Sequence, residues 1–502
     1  MTNVARIFNS GSTYEQLIRQ VISVESQPQA KLRAERSEQT VFKGVLSDFG
    51  SQVSALDAVL DKLRDPLRSP FSARSATAPE GAGFTATATS KAAPGQHELA
   101  VQRLARADAR LSKRLQDGGT EIASRFVTPG KPGGPLGVPP PTPPSTAERT
   151  FTIRVAQPTG DPVALQVRYV PSGTGATDGE VVAGLAGAIN EATRAARADG
   201  RLAEGTGVSA SVVRETDGTS RLSVRGLATG YGQRLSFEDP DGVLAALEVN
   251  RTAVRSGTGG GAVYAVGTGP QDSALSAAFT LDGLQLYRDS NTVADALSGV
   301  TLSLSAVTAA PQTLTIGADV EGMRGEVEAF VKAYNGLHSF LTTKSSVDAG
   351  SGTRGVFAGD AAVTGLRAGL RADLARRVGG LDLSSLGLAV ERNGTLKVED
   401  PKALDAALAA TPEAVGALFS GPGGLAERLS ARIDGLAGAT GTIAQRKKSA
   451  DARIQRLGDQ IERWDRRLAT REATLRDQFA RLQEVATRAQ AQQDSLANLF
   501  FF

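Results

Sequence analysis

The sequence predicts a multidomain α+β protein, with paired N- and C-terminal coiled-coil helices, a mixed helical/β stalk domain and mainly β head domains inserted into that stalk. Three observations predict it. The first ~65 and last ~60 residues space apolar side chains at alternating steps of three and four, the pattern of a helix with one apolar stripe. Between them, short stretches alternate apolar and polar residues around Gly-containing turns, as half-buried strands do. A chain of 502 residues also exceeds what one hydrophobic core serves. Neither terminal helix can bury its stripe alone. The two ends are therefore expected to pair with each other or with neighbouring copies, which makes the middle an insertion.

Tyr14, Leu17, Val21 and Val24 step by three and four until Pro28 breaks the helix. Phe42, Leu46, Phe49, Val53, Leu56, Leu60 and Leu63 then form an unbroken coiled-coil seam. Arg64-Asp65-Pro66 stops it, because the residue before proline is pushed out of the helical region. These elements define an N-terminal helix over 1–41 and the first half of a stalk domain over 42–112. Inserted heads are expected over 113–305. A Pro-rich extended linker at 129–148 precedes a β/α unit at about 150–240, with a helix in "VVAGLAGAINEATRAAR", and a second β unit at about 245–305. The Gly-rich "GTGGGAVYAVGTGP" reads as loop with a short strand at "AVYAV".

The second stalk half, 306–440, opens on a helix with Val320, Val327, Phe330, Val331, Tyr334, Leu337 and Leu341 on one face. Hairpins are expected at Asp217-Gly218, Asp282-Gly283 and Asn393-Gly394, each with a type I′ turn. The terminal coiled coil, 441–502, carries Ile454, Leu457, Ile461, Trp464 and Leu468 on its seam. Arg471 and Gln478 miss the register, while Leu475, Leu482, Val485, Leu496 and Leu499 carry it on, giving a rod on the order of 75 Å. Phe500, Phe501 and Phe502 extend the apolar character beyond one stripe and are expected to dock against another chain.

Composition narrows the function classes. Lys plus Arg number 56 against 53 Asp plus Glu, a net charge of +3, so no nucleic-acid partner is predicted. The charges are interleaved, as in "DARIQRLGDQIERWDRR", which reads as a solvated helix face. Cysteine is absent, so there is no disulfide or thiolate chemistry. No apolar run approaches the ~20 residues that span a bilayer, so no membrane insertion is predicted. The N-terminus lacks the apolar core of a secretory signal.

No catalytic, cofactor or metal site is predicted, and the chain is not expected to be an enzyme. The two histidines, His97 and His338, stand without ligand-spaced partners and read as surface or packing residues. Gly257 to Ala262 match G-x-G-x-x-A formally, but no strand feeds the motif and no helix opens on it. Asp61 and Asp65 share a solvated helix face. The run "RKKSADAR" at 446–453 reads as solvated, and Trp464 as a seam aromatic.

Several stretches resemble the flagellar filament cap, or flagellar hook-associated protein 2, family. "ESQPQAKL" is similar to its Glu-x-x-Pro-x-x-x-Leu pattern, and "ATATSKAAPGQHELAVQRLARA" to its Thr- and Ala-rich strands. "TLDGLQLYRDSNTVADALSGVTLSL" resembles its G-x-x-x-x-R-x-S-N…G-V-T-L-x-L run through Gly283, Arg288, Ser290, Asn291, Gly299, Val300, Thr301, Leu302 and Leu304. "EAFVKAYNGL" matches F-V-x-A-Y-N at Phe330, Val331, Ala333, Tyr334 and Asn335. "SLGLAVERNGTLKVEDPKALDAAL", "VGALFSGPGGLAERL" and "REATLRDQFARLQ" follow in family order. The Pro-rich insert at 129–144 departs from the pattern.

The resemblance implies a ring, typically of five subunits, at the distal tip of the flagellum, with terminal helices as legs under a plate of heads. It implies self-association, flagellin and the hook-filament junction protein as partners, and an export chaperone on the C-terminal helix. Export would run through the flagellar type III apparatus without a cleaved signal. Residues 1–40 and about 445–502 are expected to be largely unstructured in the free monomer and ordered on assembly. Another axial flagellar protein is the nearest alternative. An adhesin whose exposed heads bind host mucin or glycan is a second.

Overall fold

The computed structural model describes residues 11–65, 68–131, 142–348, 350 and 352–499; the side chains of 11–13, 493, 494 and 496–499 lie outside that description. The chain forms two compact units, Met1–Ser72 with Asp319–Phe502, and Ala73–Ala318. Helices are numbered in chain order.

Helix α1 (Gly11–Glu25) is separated from α2 (Gln27–Arg64) at Ser26, and Pro28 stands in the first turn of α2. Proline is tolerated there because the first-turn N–H groups have no intrahelical acceptor. Helix α2 stops at Arg64, and Asp65 turns extended at φ −69°, ψ 108°.

Among the described residues the second unit holds two large hydrophobic cores and a small cluster of Ala262, Val266 and Leu275. One lies between a five-stranded antiparallel sheet, in the order Arg74–Thr77, Gln312–Ala318, Gly95–Arg103, Ala277–Leu281, Leu284–Arg288, and a three-stranded sheet of Thr292–Leu297, Val300–Leu304 and Phe84–Ala88. Leu99, Phe279, Leu302 and Leu314 fill it. The expected stalk halves, 42–112 and 306–440, straddle the boundary between units. Strands 74–103 and 312–318 lie in the second unit because they pair with each other and with 277–281.

The other core is built on the sheet Val208–Thr216, Thr219–Gly226, Ala109–Leu111, Gly261–Ala262 and a three-stranded sheet in the order Leu235–Glu238, Arg149–Val155, Val163–Tyr169. Helix α3 (Asp178–Ala198) packs on both, entered through a capping box between Thr177 and Glu180, and the short α4 (Val243–Leu247) closes it. Phe126 stands before the Pro-rich stretch and Ile153 after it, yet both belong to this core. The stretch is therefore not a linker between domains. Its flanks, Val127–Thr128 and Ser145–Thr146, pair antiparallel, so it leaves and re-enters one domain; residues 132–141 lie outside the described residues.

The expected strand at "AVYAV" forms only as Gly261–Ala262 at its start. The type I′ expectation holds at one hairpin. Asp282 and Gly283 both take positive φ, 51° and 80°, whereas at 217–218 and 393–394 only the glycine does. The strand before the 217–218 turn is irregular between Arg214 and Thr216, while Thr216 and Thr219 remain paired across the turn.

The first unit resumes with α5 (Val320–Ser345), α6 (Ala361–Leu374), a hairpin of Leu388–Val390 and Leu396–Val398, α7 (Pro401–Ala410), α8 (Pro412–Ser420), α9 (Leu425–Ile433) and α10 (Thr442–Leu499). Helix α2 packs against α5, α8, α9 and α10. The 42–63 stripe is thus the centre of a helical bundle and not a two-stranded seam. The aromatic rings of Phe49 and Phe340 stack with centroids 6.1 Å apart, and Phe357 caps Phe49 edge-on at 5.7 Å.

Candidate assembly site

The two ends of the chain form an antiparallel helix pair. Ion pairs give the register: Glu15 with Arg476 at 3.7 Å, Glu25 with Arg471 at 3.2 Å, Arg33 with Asp465 at 3.2 Å and Lys43 with Asp451 at 2.5 Å. Glu35 meets Arg453 between the last two. The polarity is mixed, with acids on the N-terminal side at 15, 25 and 35 and cations at 33 and 43. Gln29 is buried within the pair and donates its amide to Asp465, which also accepts from Arg33. A shift of register would leave Gln29 buried without that partner, so one polar contact narrows the allowed pairings.

The predicted seam residues divide sharply. Leu46, Phe49, Val53, Leu56, Leu60 and Leu63 are buried, and Phe42 is half-buried. On α1 only Tyr14 of the predicted set is buried; Leu17, Val21 and Val24 are exposed, Leu17 by 43% and Val24 by 64%. The buried neighbour is Ile18, so α1 meets α10 through Tyr14 and Ile18, about one residue's rotation from the predicted stripe. On α10, Leu457, Ile461 and Leu475 are buried and Ile454, Trp464 and Leu468 half-buried. Leu482 and Val485 are exposed, by 56% and 64%. Phe479, beside the predicted miss at Gln478, contacts Tyr14 instead, with ring centroids 5.2 Å apart. The side chains of Leu496 and Leu499, and all of Phe500, Phe501 and Phe502, lie outside the described residues.

Two grooves, of about 750 and 570 Å³, open beside the α1–α2 break and share Pro28, Trp464 and Arg467. The Arg467 guanidinium lies over the Trp464 ring at 5.2 Å. Trp464 is thus a half-buried wall between grooves.

The basic run at 446–453 is not simply solvated. Arg446 reaches Asp360 at 2.6 Å, Lys447 reaches Ser47 at 3.0 Å and Arg453 pairs with Glu35. Asp360 caps α6 by accepting from Ala362 and Val363. Burial alone would raise its carboxyl, but Arg446 and those two amides outweigh it and hold the group below the ordinary carboxylate range. One aspartate thereby ties the start of α10 to the bundle.

The F-V-x-A-Y-N stretch acts on the 388–398 hairpin. Tyr334 donates to Gly394 O at 3.1 Å, Asn335 donates to Leu396 O and accepts from Leu396 N, and His338 Nε2 lies 2.9 Å from Asn393 O. Burial pushes the Tyr334 hydroxyl up to about 12. In the second unit Asn291 holds both main-chain groups of Ala105, at 2.7 and 3.1 Å, and Arg288 pairs with Asp295. These motif residues grip backbone, which is a structural role.

Of the remaining candidates, His97 lies 2.7 Å from Asp282 across a strand pair, and Asp61 pairs with Arg64. The carbonyls of Gly257 and Gly259 accept from the buried Arg221, which accounts for the Gly-rich loop. Among the described residues no cluster of His, Asp and Glu could hold a metal ion, and no helix is long and apolar enough to cross a membrane.

Comparison with known proteins adds a family likeness. Residues 10–108 match the pattern described as "Flagellar hook-associated protein 2 N-terminus", and 274–491 match its C-terminus. The chain is 28% identical over 506 residues to the B-type flagellar hook-associated protein 2 of Pseudomonas aeruginosa, covering 97% of each. It is 27% identical to the A-type protein of that species, covering 95% of this chain and 93% of the other. Among solved structures, the D1-D2-D3 domains of the flagellar cap protein FliD from Escherichia coli share the fold, with a TM-score of 0.54 at 24% identity over 82% of this chain and 99% of that one.

Proposed function

The chain belongs to the flagellar hook-associated protein 2 family, and from that premise we infer that it is a filament cap. It self-associates at the distal tip of the bacterial flagellum, outside the cell, and promotes the folding and insertion of exported flagellin. It works by holding subunits and excluding their escape, without covalent catalysis.

The observation that carries the reading is the antiparallel pair of terminal helices, joined beyond the bundle by few buried side chains. Exposed ion pairs such as Glu15–Arg476 and Glu25–Arg471 are each worth about 0–1 kcal/mol. Tyr14, Ile18 and Leu475 supply little apolar burial for α1. A leg of this kind is ordered mainly by what it touches, and ordering cost offsets contact energy. That combination lets a cap stay attached yet step as each subunit inserts. The exposed Leu17, Val21, Val24, Leu482 and Val485 form the surface that neighbouring legs, the filament end or the junction protein cover after assembly, and docking against another chain is proposed for Leu496, Leu499 and Phe500 to Phe502, which lie outside the described side chains. Before export by the flagellar type III route, a chaperone covers the C-terminal part.

Deletion of the gene tests the function. Cells lacking the protein should swim poorly and release unpolymerised flagellin into the medium, and the restored gene should reverse both. A deletion strain that swims normally and retains its flagellin would refute the reading.

A further inference from the structure

Helix α3 lies between two sheet edges, and the fold treats them differently. Val208–Thr216 is the edge strand of its sheet. Asn190 of α3 both donates to and accepts from the main chain of Ala210, each at 2.8 Å, and Thr193 donates to Val208 O at 2.9 Å. Those side chains stand in for a neighbouring strand and block pairing there. Val163–Tyr169 is the edge of the three-stranded sheet, and among the described residues it is blocked at one place only, where Arg201 donates to Ala164 O at 2.9 Å.

That bond also shows which main-chain groups face outward. Residues alternate along an antiparallel strand, so the outward set that includes Ala164 continues at Gln166 and Arg168. On the neighbouring strand the main chain of Thr150, the partner of Arg168, turns the other way and donates to Asp241, as this alternation requires. Gln166 and Arg168 open onto a groove of about 660 Å³ whose far wall is Ala188, Ala192 and Ala195 of α3, with Glu191, whose carboxylate pairs with Arg194, between them. Small wall residues leave room for a chain, and the Arg168 side chain forms no ion pair among the described residues.

We propose that this groove takes an extended segment of an incoming unfolded polypeptide, which adds as a strand to the Gln166–Arg168 edge. Main-chain bonds to Gln166 and Arg168 hold the segment without reading its sequence. The alanine wall accepts small or apolar side chains at alternate positions, and Arg168 favours a carboxylate near one end. The occupant rests on the capping reading, since a cap is a place where a polypeptide arrives unfolded.

The substitution Gln166→Pro tests the edge directly. The Gln166 N–H faces the groove, so proline removes the donor for an added strand and no bond within the sheet. Overlapping synthetic peptides that cover the flagellin of the same cell are added to the full-length protein, and hydrogen exchange is followed at Gln166 and Arg168. Peptides with an acidic residue beside alternating small or apolar positions should protect both amides saturably. Gln166→Pro should weaken binding about tenfold with unchanged circular dichroism and melting, and Arg168→Glu should reverse the preference for acidic peptides. Absence of protection by any peptide, or equal binding by Gln166→Pro, would overturn the proposal. Protection that grows with protein concentration alone would assign the edge to a second copy and overturn it too. The capping reading is tested separately, because the wild-type gene either restores retention of flagellin to a deletion strain or does not.

Discussion

Tyr14 and Phe479, near opposite ends of the chain, meet with ring centroids 5.2 Å apart and planes inclined by 40°. Among the described residues they are the outermost aromatic contact of the terminal helix pair, beyond the ion pair of Glu15 with Arg476. How the helix pair holds together at this point decides how readily the leg opens.

Tyr14→Ala and Phe479→Ala should each speed hydrogen exchange across α1 and the facing part of α10 and leave the bundle around Leu56 unaffected. The pair should show a coupling of about 1 kcal/mol in a double-mutant cycle, the usual worth of an aromatic contact beyond its area. Equal acceleration throughout α2 would show that the helix pair and bundle open as one.

Leu60 is fully buried in the bundle, while Leu17 is 43% exposed on α1. Leu60→Ala should cost about 2–5 kcal/mol through lost transfer energy and a cavity. Leu17→Ala should change the stability of the isolated chain by no more than about 0.5 kcal/mol. If Leu17 lies on a surface covered in the cap, its substitution should reduce assembly or flagellin retention instead. Chemical denaturation and a secretion assay separate the two effects.

Gly394 takes φ +93°, and a Cβ there would lie 2.6 Å from His338 Cε1. Gly394→Ala should therefore cost about 2 kcal/mol or more, from left-handed strain and from displacement of the His338 ring. Loss of the near-ultraviolet signal of Tyr334 at a lower melting temperature would be the sign that the hairpin has left α5.

Glu215 is held down to about 2 by hydrogen bonds from Arg114 and then Arg221. Its folded pKa is below its unfolded value of ~4.3, so it contributes stability above that value and loses it as pH falls from about 4 toward 2. The melting temperature of the wild type should therefore drop across that window more steeply than that of Glu215→Gln. Parallel curves would show that the two arginines gain nothing from the carboxylate charge.

Periodicity made the helices and most strands legible, because alternating burial leaves its mark on every third or fourth residue of a helix and every second residue of a strand. It located α3, α5 and the hairpins, and it found the break beside Pro28. The rotation of α1 was not legible, since Leu17-Ile18 and Val21-Ile22 offer two apolar stripes a step apart, and local spacing cannot say which one a partner will cover. The open edge at Gln166 left no mark for the same reason. Whether a strand has a neighbour is a property of distant residues such as Arg201 and Asn190.

By itself the sequence determined the long terminal helices, the β character of the middle and, through short motifs such as F-V-x-A-Y-N, the family. These follow from local spacing, turn residues and residue identity. Only the tertiary structure decided that 74–103 belong with the heads, that the Pro-rich stretch interrupts one core, and that 42–63 is the axis of a bundle. Each of those depends on which distant apolar surfaces share a core, and burial is paid out by neighbours in space, which a one-dimensional pattern does not name.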